Sequence, residues 1–440
     1  MAPAVEAAQL LPVYEGRGLV WLLLTKNEAA IADFQRMHEL ACASGQPHQE
    51  GISLCHLAFA YSHTHPDDQR IEHYAQEAQH LAQRLGDANI LAPSFTALGS
   101  VAVNRRNVEE AERHFAASLQ ISRREGYNDA LPRTLRYLSS LAYWQGHFLP
   151  AIHRAQEGVT VARALHDGFH ELHCLAFLSL ACWSQGDYPQ AFRITHEVVT
   201  KAHERHNRFF LRRIKNHLGW FSRELGAVSR AAELDHESTD LGRTHGIANV
   251  EISALINLGL DYLALGQPTR AWSYLAPTLD RVVREAFGSH RWRWQMRILT
   301  GLAELSFTTG EYEQALRYVE AGLQEAQATT SQKYVALGWT LRGKIIAQLG
   351  DTDTAGVELQ RAFSLAEQLQ SPSLLYPIAY DLGYWYETAG KEREAAVLYG
   401  KAKATIEQMA TAVEDEALRS TFLQSALVQE MHERAARLGG

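Results

Sequence analysis

The sequence predicts an all-α solenoid of about ten helix-turn-helix units, closed by a C-terminal capping helix. Three observations carry this. The stretch "LGYWYETAGKEREAAVLYGKA" (382–402) recurs along the chain at a spacing of 40 residues. Between its fixed positions the apolar residues fall at 3- and 4-residue steps, as helices require. No stretch alternates apolar and polar residues for long enough to read as a strand.

The copies follow in chain order. Faint ones lie at Gly18–Trp21–Ala30–Phe34 and at Ala58–Tyr61. Then come Gly99, Ala111 and Phe115; Ser139, Gly146 and Ala151; Ser179, Gly186 and Ala191; Gly219, Gly226 and Ala231. Gly259, Tyr262, Gly266 and Ala271 follow, and Ala303, Gly310 and Ala315. The clearest are Gly343, Ile346, Gly350, Ala355 and Ala362, and Gly383, Tyr386, Gly390, Ala395, Tyr399 and Ala402. The alanines from 111 to 271 are 40 apart, as are 315, 355 and 395; only the step from 271 to 315 is 44. Such a period means stacked supersecondary units. It divides one domain, 1–440, into repeats 11–50, 51–90, 91–130, 131–170, 171–210, 211–250, 251–290, 291–334, 335–374 and 375–410, with a cap at 411–440.

Each slot has a physical reason. Gly383 and Ala395 are small so that two helix axes can approach to about 8–10 Å. Tyr386 fills the wedge one turn on. Gly390 ends the first helix in a left-handed turn. Tyr399 is expected to pack into the next repeat. The four extra residues before "RWRWQMR" (291–297) are expected to add a helical turn.

This slot order resembles the tetratricopeptide repeat over about residues 11–405, with a period longer than that family's usual one. The resemblance implies a right-handed superhelix whose concave face, formed by the first helices, takes the ligand. Such long repeats are similar to the sensor arms of large bacterial signalling ATPases, among them maltose-regulon-type activators and multidomain nucleotide cyclases. The tail 414–435 resembles the closing segment of those proteins. Their nucleotide-binding motif, cyclase domain and DNA-binding tail are not found, so the chain reads as an isolated arm or a stand-alone relative.

The formal net charge of −8 argues against a dedicated nucleic-acid binder, which carries a basic footprint. Cys42, Cys55, Cys174 and Cys182 form no Cys-x-x-Cys pair and read as buried thiols. The start "MAPAVEAAQLL" lacks a basic signal region, and "LVWLLL" (19–24) is far shorter than the roughly 20 apolar residues of a membrane span. The expected location is the cytoplasm.

Candidate chemistry is weak. "GWTLRGKI" places Gly338, Gly343 and Lys344 at phosphate-loop spacing, but Ile345 stands where Ser or Thr would hold magnesium, and the segment reads as helix interior. His166, His170 and His173 sit four and three apart, with "HDG" (166–168) a turn that breaks the stripe. "SHTHPDD" (62–68) reads as a polar loop. Glu109–Glu110 and Asp67–Asp68 fit helix starts, where acids complement the dipole. No metal, cofactor or catalytic residue is therefore assigned. "FFLRRIKNH" (209–217) and "RWRWQMR" are basic and aromatic; they read as packed rings with snorkelling arginines, or as an anion contact.

The concave slots lie just before and after the small residue. They hold Arg136, Tyr137, Tyr143, Trp144, His173, Phe177 and Trp183, then Arg213, Asn216, His217, Trp220, Arg223 and Asn257, then Arg297, Glu304, Lys344, Asp381 and Tyr384. The candidate binding residues are Arg136, Tyr143, Trp183, Arg213, Asn216, Trp220, Arg223 and Asn257. Trp183, Arg213, Trp220 and Arg223 are expected to face one cavity. The expected function is non-enzymatic recognition of a protein, peptide or small effector by an arm of a bacterial signalling system. The alternatives are a nucleic-acid scaffold using 208–223 and 291–297, or an enzyme using inter-repeat histidines.

Overall fold

The computed structural model describes residues 2–24, 26–64, 69–126, 130–244, 247–285 and 291–438. These residues form only α-helices, joined by short turns. Ten hairpins pair α1 (Ala2–Leu23) with α2 (Asn27–Ser44), α3 (Pro47–Thr64) with α4 (Arg70–Leu85), and α5 (Ala88–Asn104) with α6 (Val108–Arg124). Next come α7 (Leu131–Trp144) with α8 (Phe148–Ala164), α9 (Gly168–Gln185) with α10 (Tyr188–Glu204), and α11 (Arg208–Glu224) with α12 (Val228–Thr244). The rest are α13 (Ala248–Ala264) with α14 (Pro268–Arg284), α15 (Arg291–Thr308) with α16 (Tyr312–Ala328), α17 (Gln332–Gln348) with α18 (Thr352–Leu369), and α19 (Pro372–Thr388) with α20 (Glu392–Ala412). The cap is two helices, α21 (Glu416–Leu423) and α22 (Ala426–Leu438), rather than one. Asp67 and Asp68, and most of the loop after Thr64, lie outside the described residues.

The repeat slots act as close contacts. The alanines 111, 151, 191, 231, 271, 315, 355 and 395 are wholly buried. A Cβ at Gly99 would stand 2.5 Å from the Phe115 ring, one at Gly259 2.5 Å from Leu275, and one at Gly383 2.9 Å from Tyr399. The knob is the residue 16 positions later in the same hairpin. Tyr399 therefore packs within its own repeat, over Gly383, with Arg434 of the following cap beside its hydroxyl. Its hydroxyl reaches back to Glu387 at 2.7 Å. A larger side chain at a glycine slot would overpack at about 1–3 kcal/mol.

Both turns of a repeat use the left-handed region. Gly390 closes its hairpin at φ 72°, while later turns between repeats run through His166 (φ 55°), His206 (φ 50°), Thr330 (φ 50°) and Gln370 (φ 51°). The first three turns between repeats use glycine there, at Gly45, Gly86 and Gly126, and the later ones do not, so this periodicity is only partly legible in the sequence. Side-chain caps start many helices: Asp167, Asp187, Asn207 and Asp351 each accept a backbone N–H three residues on. At α6 the cap is Asn107, with Glu109 and Glu110 in the first turn behind it. The 44-residue step lengthens no helix. α14 has 17 residues and α15 has 18, like their neighbours.

The superhelix completes a turn and meets itself. Trp292 of α15 donates its indole N–H to Val103 O of α5 at 3.2 Å. Trp144 at the end of α7 lies 6.2 Å, ring to ring, from Tyr334 of α17. Gly186 at the end of α9 abuts Pro372 of α19, and Gly226 after α11 abuts Ser425 of the cap. Lys333 of α17 reaches Glu224 of α11 at 3.4 Å. The ends of four first helices thus touch the starts of later ones. That seam is part of the main core, which runs from Ala102 to Met431. No helix of the described residues is long and apolar enough to cross a membrane. Cys55, Cys174 and Cys182 are buried, whereas Cys42 is exposed on α2.

Candidate functional site

The closed turn encloses a cavity of about 490 Å³ on the concave side. Its wall comes from the first helices α1, α3, α7, α9, α11, α13 and α15. Numbering from the small slot, seven residues before the hairpin glycine, explains which side chains reach it. The position ten before supplies Phe169, Phe209, Asn249 and Arg293; six before supplies Arg133, His173, Arg213, Ser253 and Arg297. Two or three before come Arg136, Tyr137, Phe177, Asn216, His217 and Asn257; one after come Ser140, Leu180 and Trp220. At about 100° per residue these positions share a sector between about 60° and 160° from the small slot.

Five of the eight candidate residues, Arg136, Arg213, Asn216, Trp220 and Asn257, line this lumen. Tyr143, Trp183 and Arg223 do not. All three stand four positions after the small slot, about 40° from it, which turns them toward the packing between hairpins. Tyr143 is buried in T-shaped contact with Trp144. Trp183 stacks on Phe221 with centroids 4.0 Å apart and donates Nε1 to Glu224 at 2.6 Å. Arg223 is bonded to the buried Asp261 at 2.7 Å. The expected cluster of Trp183, Arg213, Trp220 and Arg223 therefore divides into two lumen residues and two packing residues. Among the later slots, Lys344 and Asp381 pair with each other at 3.1 Å, and Tyr384 is exposed. The slot ten before the small residue went unread, although Phe169, Phe209 and Arg293 recur there. Trp292 and Trp294 are packed, as a structural reading requires, but Arg293 and Arg297 point into the lumen and do not snorkel outward.

The lumen is cationic. Arg213 lies 5.1 Å from the Phe177 ring and donates Nη1 to His173 Nδ1 at 3.3 Å. Arg136 lies 4.2 Å from the Tyr137 ring, with its Nε buried and unbonded. Arg293 lies 4.8 Å from Trp294. Arg297 donates to Asn257 Oδ1 at 2.5 Å and sits 5.0 Å from Trp220. Burial, and then the neighbouring guanidiniums, push Arg293 down to about 9; burial and Arg136 push Arg213 down to about 10. Both stay charged at neutral pH.

The histidines are neutral there. Burial holds His170 at about 4, against the pull of Asp167, and burial plus the surrounding arginines hold His173 and His217 well below the usual range. Asp167 accepts both the His170 backbone N–H at 3.0 Å and the Nδ1–H at 2.5 Å, so the pair is the N-cap of α9. His170 has no hydroxyl or thiol hydrogen-bonded to it among the described residues. Nor do those residues contain a group of three His, Cys, Asp or Glu side chains able to hold a metal. Gly338, Gly343 and Lys344 lie inside α17, where the backbone amides are already used.

No protein-family model matches the sequence. Curated proteins of Mycobacterium tuberculosis (strain H37Rv) and Mycobacterium bovis, whose names place them with the HTH-type transcriptional regulators, are 23% identical over 383 residues. That match takes in 82% of this chain, and the chain spans about 40% of the length of those relatives. Among solved structures, a Rap protein complexed with competence and sporulation factor is similar over 92% of this chain and all of that one, at 12% identity and a TM-score of 0.46. NprR with its cognate peptide NprX is similar over 87% and 97%, at 14% identity and a TM-score of 0.43. A STAND signal-transduction ATPase with a tetratricopeptide-repeat sensor from Pyrococcus horikoshii is similar over 89% and 55%, at 14% identity and a TM-score of 0.43. The stacked hairpins, their glycine and alanine slots and the concave lumen make this chain a tetratricopeptide-like all-helical repeat solenoid.

Proposed function

We propose that this chain is a recognition module, without catalysis of its own, that takes a short peptide or small ligand into its lumen. The observation that carries the reading is the lumen itself. It is concave and walled by aromatic rings, amides and guanidiniums, and its roughly 490 Å³ falls within the range of about 300–1,000 Å³ typical of ligand sites. Asn216 Oδ1 is buried on its wall without a donor, a group that a ligand N–H would satisfy. The match to part of longer regulators supports reading the chain as the sensor or interaction arm of a bacterial signalling protein.

The nucleic-acid reading over 208–223 and 291–297 loses support, because its basic residues form no common surface: Arg213, Arg293 and Arg297 face the lumen, Arg212 is buried, Arg223 is paired with Asp261 and Lys215 with Glu237. The enzyme reading loses its best pair, since Asp167 and His170 serve as a helix cap.

The test is affinity selection of a mixed short-peptide pool, read by native mass spectrometry. It compares the full chain with an Asn249→Trp variant. Phe169 and Phe209 occupy the equivalent slot, so the indole is accommodated while it fills the lumen. Retained peptides that disappear in the variant support the reading. A pool retained equally by both proteins, or by neither, overturns it.

A further inference from the structure

The lumen's charge is anomalous within this molecule. Several buried or half-buried cations elsewhere have acids: Arg223 has Asp261 at 2.7 Å, Lys333 has Glu224 at 3.4 Å, Arg342 has Glu358 at 3.0 Å and Lys344 has Asp381 at 3.1 Å, while the buried Arg212 has none among the described residues. Arg136, Arg213 and Arg293 reach the lumen from α7, α11 and α15, and none has a carboxylate partner among the described residues. They rest on ring faces, which orient a guanidinium without neutralising it. Asp167 on the same wall is ionised and hydrogen-bonded by the neutral His170, and one carboxylate against these three guanidiniums leaves the lumen net positive. The lumen histidines are neutral and supply hydrogen bonds without charge.

Uncompensated charges away from bulk water are unfavourable unless a counter-charge arrives. A single carboxylate, such as a peptide C-terminus, would leave two of the three guanidiniums uncompensated. A compact dianion can accept from several planar forks at once, which is the geometry that guanidinium favours. The remaining wall, with Phe169, Phe209 and Trp220, suits an apolar or aromatic body beside that head group.

We infer that the lumen's ligand carries a compact oxyanion of two negative charges, of the kind a phosphate monoester presents, joined to an apolar or aromatic body. Arg136, Arg213 and Arg293 bind the head group. This rests on the reading of the lumen as a ligand site.

The experiment is calorimetric titration of the full chain at about pH 8, where a phosphate monoester is a dianion. The probes are phenyl phosphate, inorganic phosphate and benzoate at one ionic strength. Phenyl phosphate is expected to bind at least about tenfold more tightly than benzoate, an aromatic monoanion of similar body. Arg293→Gln and Arg213→Gln are each expected to lose about tenfold for phenyl phosphate and little for benzoate, and Arg293→Lys to recover part of the loss. Circular dichroism confirms that each variant is folded, and Arg136→Gln provides the same test from a third helix. Benzoate binding as tightly as phenyl phosphate, or glutamine variants that bind phenyl phosphate unchanged, overturns the dianion while leaving the lumen as a site. Absence of binding by all three probes also overturns it, and the peptide-pool comparison with Asn249→Trp then decides separately whether the lumen binds anything.

Discussion

The concave face changes electrostatic character along the superhelix, although the helices that form it keep one geometry. From α7 to α15 its slots hold Arg136, Arg213 and Arg293 without acids. On α17 and α19, beyond the lumen wall, the concave slots hold Lys344 and Asp381, which pair with each other. Glu304 of α15 lies between the two regimes; burial raises its carboxyl and Lys344 counters that. The same contrast appears one helical step away, where Arg223 leaves the lumen sector and is at once given Asp261. Outside the lumen most of the buried cations are paired, Arg212 being an exception. Three unpaired guanidiniums converge on the lumen, and that convergence singles out the site.

The comparison can be broken most forcefully at a paired position. Arg223→Ala would leave Asp261 without its ion-pair partner and Asp235 beside it with only Arg297 nearby, and stability is expected to fall by about 3–5 kcal/mol in urea denaturation. Burial raises both carboxyls above their ordinary value, so the folded state binds protons that the unfolded chain does not. Stability of the variant should therefore recover as the pH is lowered from neutral toward about 4, the unfolded value. A loss below about 1 kcal/mol would mean that Arg223 does not hold the pair.

The seam gives a second comparison. Gly186 and Gly390 both sit at positive φ, 88° and 72°. Alanine at Gly390 meets nothing within 4 Å and should cost only the left-handed strain, about 1 kcal/mol. Alanine at Gly186 would stand 2.9 Å from Pro372 Cγ, so a loss of about 2–3 kcal/mol is expected. The extra loss should come with faster amide exchange at the start of α19. Equal losses at the two sites would show that the superhelical turns do not bear on each other there.

The smallest effect sharpens the comparison by its sign. Arg213→Leu removes a charge that burial disfavours at every pH below its lowered value of about 10, so the ligand-free protein is expected to gain up to about 1 kcal/mol at neutral pH. Lys344→Leu breaks a half-exposed pair and should lose up to about 1 kcal/mol. Thermal melts of the two variants moving in the same direction would remove the distinction between the two stretches of the concave face.

The sequence by itself determined the helices, the hairpins and their close contacts. These depend on residues at most 16 apart, and glycine at 383 or alanine at 395 can be read without knowing what lies across the molecule. It also brought Arg136, Arg213, Asn216, Trp220 and Asn257 to one face, because their offsets repeat. It did not separate that face from the adjacent one. Trp183 and Arg223 stand three slots beyond Trp220, and only a packed neighbour shows that about 40° turns a side chain into the inter-hairpin core while about 100° turns it into the lumen. Tertiary structure alone decided that the superhelix meets itself. Trp292 and Val103 are 189 residues apart, and Lys333 and Glu224 are 109 apart. Closure depends on small rotations between repeats summed over a full turn, and no local pattern encodes such a sum. That closure turns an open groove into an enclosed space, and enclosure is what makes the unpaired arginines consequential.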